Sequence, residues 1–469
     1  MRRVAVLLAV AVAAFLLLFQ QGEITVSDGA TMYRTDKSIV QHASLTIPAH
    51  YGNGIKGVGG HYYSKYGIGL SLLALPPYLL GDAIASVVGH TDRVEQAAVA
   101  SLMPVVAALL AAAIFLLAKR LGASDRSSVL VGAGAVLGTY ALPYGKDFFA
   151  EPLTALFVTL SLERTIARRP VAAGVFLGAA GLTRPQSFIL VLLVIPVVAW
   201  KQGARAGLRS LEPVLAAGAV QGLLNVARFG SPLNFGYGGE TFSNNVFSGL
   251  SNLLVQPTKS ILLFAPAVVL LPPALVLLWR RQRDACILLT ANLVIVTVMT
   301  ATWSSWQGGW SWGPRLLLPG LLPAFAAIAV WIDTRRAYAL VAVATLALGF
   351  AVSASTLIVP TQAQELDTPK PRIGPGVARQ IELIGPTISY TRAHALAHGA
   401  WDHVAGVHRR FVNTWHVGAA REAGRAGLAA SLVLSLLLVA VLVVAISRLL
   451  RACRPIRSPP EPLTPLPSA

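Results

Sequence analysis

Asp28 follows the apolar run Val4–Phe19 within a few residues, in the stretch Thr25-Val26-Ser27-Asp28-Gly29-Ala30-Thr31. A carboxylate in that position can take a proton from a hydroxyl or hold a metal. The same Asp-Gly pair also suits an ordinary solvated turn, and spacing alone leaves both readings open. Lys65 lies in Gly60-His-Tyr-Tyr63-Ser-Lys65-Tyr66-Gly67-Ile-Gly69. A cation beside glycine backbone and the hydroxyls of Tyr63 and Tyr66 suits a lipid phosphate, as would a lysine snorkelling from an aromatic belt. Lys146, Asp147 and Glu151 precede and enter a short apolar run. Ionisable groups at membrane depth point to function, although a Lys–Asp pair and a glutamate at a helix N-terminus would also satisfy the pattern. Arg184, in Leu182-Thr183-Arg184-Pro185, is a second phosphate clamp or an interfacial cap. The segment from Trp303 to Arg315 holds four of the nine tryptophans, with Trp306 and Trp310 among glycines and a closing Gly-Pro-Arg. Tryptophan faces stack on sugar rings and glycines admit a ligand to the backbone, so this segment is expected to line a ligand. His394, His398 and Asp402 share one helical face, as a metal set or as part of a basic interfacial helix.

The elements that position these residues follow from composition. Of 469 residues, 55% are hydrophobic and only 12% charged, and the mean hydropathy is +0.64. This excludes a soluble globular enzyme, a disordered chain and a collagen-like one, and leaves an all-α polytopic membrane protein. The net charge of +18 fits basic residues between membrane spans rather than a nucleic-acid surface. Two cysteines, Cys286 and Cys453, make no disulfide framework.

Arg2 and Arg3 followed by the run to Phe19 read as an uncleaved signal anchor with its N-terminus inside. Further apolar runs lie near 95–118, 127–144, 148–163, 170–182, 186–200, 208–227, 259–279, 285–302, 314–332, 337–358 and 426–447. Basic clusters from Lys119 to Arg457 all fall inside only if the stretch 67–90, with Pro76, Pro77 and Asp82, does not cross. About 12 spans with both ends inside are therefore expected. The expected organisation is a membrane module over 1–358, whose first outer loop with juxtamembrane helices covers 22–94. An extracytoplasmic segment (359–425), a last span (426–450) and a Pro-rich cytoplasmic tail (451–469) follow. The inner loops are short and basic, so the chemistry is expected outside. No Walker loop, HExxH, GxSxG or CxxC pair is present.

Several motifs recur in a fixed order. After Ser27-Asp28-Gly29 come the stretch Tyr63 to Pro76, Phe149-Ala-Glu151-Pro-Leu153, the run ending Gly181-Leu-Thr-Arg184-Pro185, and Phe229-Gly-Ser-Pro232 with Gly236-Tyr237. Gln256-Pro-Thr-Lys259 and Trp306-Gln-Gly-Gly309 with Gly313-Pro-Arg315 complete the series. Together, over roughly residues 1–355, they resemble the GT-C superfamily of polyprenyl-phosphate-dependent membrane glycosyltransferases, which includes protein O-mannosyltransferase and aminoarabinose transferase relatives. The resemblance implies a GT-C-like bundle in an inner or plasma membrane, with its active site facing outside. It implies sugar transfer from a polyprenyl-phosphate donor to a hydroxyl of a cell-envelope glycan or lipid. Asp28 would act as base, and Lys65, Arg184 and Lys259 would hold the donor phosphate. Tyr63, Tyr66, Asp147, Glu151, Tyr237, Trp306, Trp310 and Arg315 would line the substrate. Family members often carry an acidic pair after the first span; here Gly29 follows Asp28 and the next acid is Asp36. No cofactor is implied firmly and a divalent metal stays open. A transporter or flippase of a lipid-linked saccharide is the rival reading, and it requires ionisable residues along a mid-membrane path.

Overall fold

The computed structural model describes residues 1–49, 53–89, 91–256, 259–309, 311–357 and 415–453. The chain opens with α1 (Arg2–Leu18) and α2 (Ser27–His42). A small antiparallel sheet of β1 (Thr46–Ile47), β2 (Gly54–Lys56) and β3 (Tyr62–Ser64), in the order β1-β3-β2, follows. Then come α3 (Gly69–Val88), α4 (Thr91–Ala100), α5 (Leu102–Arg120), α6 (Asp125–Leu137), α7 (Ala141–Tyr144), α8 (Ala150–Ile166), α9 (Pro170–Thr183), α10 (Val191–Gln202) and α11 (Ala204–Phe229). The second half carries α12 (Val246–Val255), α13 (Ile261–Phe264), α14 (Leu271–Arg281), α15 (Arg283–Thr302), α16 (Leu318–Ala324), α17 (Ala326–Ile332), α18 (Arg336–Ser353) and a last long helix, α19 (Trp415–Ala452).

Seven helices among the described residues are long and apolar enough to cross a membrane: Gly69–Val88, Asp92–Arg120, Pro185–Gln202, Arg283–Thr302, Arg315–Ile332, Arg336–Ser353 and Gly424–Ala452. Other expected spans appear as shorter or broken helices. The first run forms the 17-residue α1, and the run at 127–144 is split between α6 and α7. The run at 208–227 forms the 26-residue α11, whose first half bears Arg205, Arg209 and Glu212. One expectation changes here. The stretch 67–90, expected not to cross, forms a continuous 20-residue apolar helix with Pro76 and Pro77 inside it. By length and composition it qualifies as a span, so the parity of the topology cannot rest on excluding it.

The core is built on α5, where Ala107, Ala108, Ala111, Ala113 and Ala118 are buried with Leu110, Phe115 and Leu117. Small side chains let neighbouring helices approach closely where lipid supplies no hydrophobic drive for packing. Two glycines dock the segment between α1 and α3 onto this bundle. A Cβ on Gly29 would lie 2.6 Å from the Phe148 carbonyl oxygen, and one on Gly67 would lie 2.3 Å from that of Leu182. Only a glycine admits approaches this close. These contacts bring Asp28 and Lys65 against the starts of α8 and of the 184–190 turn, where Glu151 and Arg184 stand.

Candidate active site

Asp28 is the second residue of α2, in the first turn, where a carboxylate meets the positive end of the helix dipole. It is therefore held by a helix rather than by a solvated turn, and it is largely buried. Arg315 donates from Nη2 to Asp28 Oδ2 at 2.7 Å, and Asn53 Nδ2 donates to Oδ1 at 2.8 Å. Asn53 is itself fixed by α2, because its backbone N–H donates to Thr31 Oγ1 at 3.0 Å, one turn beyond Asp28. The Tyr66 hydroxyl also donates to Asp28 and accepts from Asn53 Nδ2 at 3.0 Å. Burial alone would raise the pKa of Asp28. The Arg315 charge, the hydrogen bonds from Tyr66 and Arg315, and the more distant Arg184 outweigh it and hold the carboxyl below its usual value. Burial and the Asp28 charge push the Tyr66 hydroxyl well up, which keeps it a donor.

Arg315 follows Gly313-Pro314 and is buried between two acids. Its Nε lies 3.4 Å from Glu151 Oε1, and its guanidinium stacks over the Phe149 ring at 4.5 Å. Its Nη1 has no hydrogen-bond partner among the described residues. Glu151, in the first turn of α8, pairs at the same time with Arg184. The chain of charges Asp28–Arg315–Glu151–Arg184 thus joins α2, the Trp/Gly segment, α8 and the end of α9. Asp28, Asn53, Phe149, Gly308, Gly309 and Arg315 border a cavity of about 150 Å³. Gly308 and Gly309 both have positive φ, 70° and 69°, and form its wall without side chains.

A second cluster adjoins it. Lys65 follows β3 and pairs with Glu240, while its Nζ stands 5.1 Å over the Tyr237 ring. Glu240 Oε2 accepts from Trp303 Nε1 at 3.2 Å, and Trp303 meets Tyr237 edge-on at 5.8 Å. Buried Arg228 fixes the Lys65 backbone from below, donating from Nη1 to the carbonyls of Ser64 (2.8 Å) and Tyr66 (3.0 Å). Burial raises the Tyr237 hydroxyl, with the positive charge of Arg184 opposing and the acids Glu240, Glu151 and Asp28 adding to the rise. Tyr237 therefore stands between the two clusters.

The structure sorts the residues singled out by sequence. Asp28, Tyr66, Glu151, Arg184 and Arg315 come together, and Lys65 and Tyr237 lie beside them. Lys259 is turned to the Trp/Gly segment, where it donates to Ser311 Oγ at 3.0 Å, to the Ser311 carbonyl and to the Gly309 carbonyl at 3.3 Å. It is not among the residues bordering the cavity. Asp147 is buried and accepts from Gln21 Nε2 at 2.6 Å, at the end of α1. Tyr63 donates to the Val58 carbonyl and packs edge-on against Phe229. Trp306 is buried away from the cavity border. Trp310, His394, His398 and Asp402 lie outside the described residues, as does nearly all of the segment 359–425. Sequence reasoning missed Asn53 and Glu240. Glu240 was visible as the one acid in the stretch 228–258 between two apolar runs, whereas Asn53 carried no signal.

The donor set does not suit a metal. Asp28 faces a guanidinium and an amide, and no three His, Cys, Asp or Glu side chains gather among the described residues.

No protein-family model matches the chain, and no curated protein sequence matches it. Solved structures do. ArnT from Cupriavidus metallidurans in the apo state is 17% identical, with a TM-score of 0.50 over 96% of this chain and 75% of that one. The same protein bound to undecaprenyl phosphate is 16% identical, with a TM-score of 0.49 over the same shares. The oligosaccharyltransferase AglB from Archaeoglobus fulgidus, in complex with an inhibitory peptide and a dolichol-phosphate, is 11% identical, with a TM-score of 0.46 over 74% of this chain and 55% of that one. The chain is thus a multi-pass membrane protein that shares the fold of apo ArnT.

Proposed function

We propose that this protein is a membrane glycosyltransferase that moves a sugar from a polyprenyl-phosphate donor to an acceptor hydroxyl. The observation that carries the reading is Asp28, an ionised carboxylate at the border of a cavity of about 150 Å³, fixed by Arg315, Asn53 and Tyr66. The order of motifs along the chain and the fold shared with apo ArnT support it. The donor class follows that of ArnT, which has been solved with undecaprenyl phosphate.

In this reading Asp28 accepts the proton of the acceptor hydroxyl as its oxygen bonds to the anomeric carbon. The bond from that carbon to the phosphate oxygen breaks, its electrons leave with the polyprenyl phosphate, and the anomeric centre inverts. A depressed pKa makes Asp28 a weak base but keeps it ionised over the working range. The attacking hydroxyl becomes acidic as the new bond forms, so proton transfer to such a base is late but favourable. General-base help is worth about 10²–10⁴-fold. Fixed cations at the departing phosphate supply the larger share. Lys65 and Arg184 are the cations assigned to it, exchanging Glu240 and Glu151 for phosphate oxygens. Arg315 adds its unpartnered Nη1. Lys259 contributes indirectly by holding the carbonyls of the Trp/Gly wall.

The site lies at the C-terminal end of α1. The basic residues Arg2, Arg3, Lys119 and Arg120 gather at the opposite end, so the positive-inside rule turns the site outward. A glycan or lipid of the cell envelope is then the acceptor. The ion pairs of the site lie together at that end of the bundle, where a transferase rather than a mid-membrane transport path needs them.

The test uses the purified chain in vesicles, supplied with polyprenyl-phosphate pentose and hexose donors carrying radiolabelled sugar. Sugar transferred to an added envelope extract, with polyprenyl phosphate released in equal amount, is the expected result. A donor pool moved between leaflets without loss of its sugar would overturn the reading in favour of a flippase.

A further inference from the structure

α1 and α19 leave a groove between them. Leu7 and Val10 line one wall, and Ala440, Val441 and Val444 the other. The groove has a volume of about 390 Å³, and Arg448 alone among its lining side chains carries a charge. Arg448 is exposed and makes no hydrogen bond or ion pair among the described residues. The bundle fixes which way the groove points. Leu8 and Phe115 both stand against Gly132 near the Lys119–Arg120 end of α5, whereas Leu16 and Ala107 both stand against Gly145 at its other end. At the far end of the chain, Arg126, which opens α6, donates from Nε to the Cys453 carbonyl at 2.7 Å. The start of α1 and the end of α19 therefore share one end of the bundle, with Arg2, Arg3, Arg448 and Arg451 all exposed there. It is the end opposite Asp28.

We infer that this groove is a binding site for one anionic phospholipid. An acyl chain lies along Leu7, Val10 and Val441, and the headgroup phosphate meets Arg448. Charge complementarity decides the occupant: one guanidinium closes an otherwise apolar groove, and three more arginines share its end. A guanidinium matches phosphate oxygens with paired N–H donors, and each basic residue near a membrane surface favours anionic over zwitterionic lipid.

The test is native mass spectrometry of the full-length protein, delipidated in detergent and titrated with phosphatidylglycerol or phosphatidylcholine. The wild type is expected to retain one phosphatidylglycerol at concentrations where phosphatidylcholine is stripped. Arg448→Gln is expected to lower that preference about fivefold. Ala440→Phe, at an exposed position, fills the groove and is expected to abolish retention of either lipid. Arg451→Gln, at the same end but outside the groove, is expected to lower the preference clearly less than Arg448→Gln. Equal retention of the two lipids by the wild type, or an equal loss from Arg448→Gln and Arg451→Gln, would reduce the site to ordinary annular lipid. A dimer appearing in place of bound lipid would overturn the assignment in favour of a second copy.

Discussion

Replacing Arg315 by methionine removes the cation between Asp28 and Glu151 while keeping much of its volume over Phe149. The Arg315–Asp28 contact is 2.7 Å, with the two side chains only 10% and 12% exposed. At an effective dielectric of about 20, unit charges at that separation attract by about 6 kcal/mol. Desolvation of both groups takes back much of this. What the variant suffers is the cost of leaving buried carboxylates uncompensated, about 3–5 kcal/mol. Asp28→Asn alone leaves Arg315 still paired with Glu151, so its cost is smaller. The two changes are coupled through a single contact, and the double variant is expected to fall short of additivity by about 2–3 kcal/mol. The assay is unfolding of the detergent-solubilised protein by titration with SDS, run for both single variants and the double. The pH profile of transfer supplies the second readout. The folded-state pKa of Asp28 lies below its ordinary value, so the stability it contributes is present at neutral pH. That stability is lost only as the pH falls below the usual carboxylate range toward the folded value. Without Arg315, burial acts unopposed by its largest counterweight, the Asp28 pKa rises, and an acid limb should move up into the working range. Additive single variants, or an acid limb that stays where it is in the wild type, would refute the reasoning.

Further outcomes follow from the same geometry. Glu151→Gln leaves half-buried Arg184 without its carboxylate and beside Arg315, and should destabilise by about 3 kcal/mol, measured by the same titration, with transfer falling alongside. Gly67→Ala sets a methyl group 2.3 Å from the Leu182 carbonyl oxygen, so the segment between α1 and α3 must lift from α9; a loss of about 3 kcal/mol and of transfer is expected, and wild-type stability would contradict the docking described. Lys65→Gln should raise the donor KM by about 10–100-fold while lowering kcat less, as loss of one charge-assisted hydrogen bond to phosphate requires. Lys259→Met unties the Ser311 and Gly309 carbonyls and should cut kcat without the large rise in donor KM expected of Lys65→Gln.

Much of this was legible in the sequence, for identifiable reasons. Apolar runs forced a helical membrane bundle, and the acid just beyond the first run led to Asp28. Glu151 and Arg184 stood out as ions beside proline at the ends of apolar runs. Their joining into one charge chain through Arg315 was not legible, because Arg315 and Asp28 are 287 residues apart and nothing in spacing encodes that contact. The helix α2 carries no apolar periodicity that marks it in the sequence, because its composition is polar; packing on α3 and the Gly29 contact hold it helical. Lys259 and Asp147 stood out because charge near a membrane surface marks function; their contacts with Ser311 and Gly309 of the Trp/Gly segment and with the side-chain amide of Gln21 are ones that spacing does not encode. The stretch 67–90 was assigned by charge parity, and its helix satisfies the length and composition of a span all the same.

The central claim is that Asp28 is the base for attack on a lipid-linked sugar. The most direct measurement compares wild type and Asp28→Asn, reconstituted at equal protein, for radiolabelled sugar transfer and for binding of the same polyprenyl-phosphate donor. The account predicts that transfer falls by about 10²–10⁴-fold with donor binding unchanged. Equal transfer by the two proteins would contradict it.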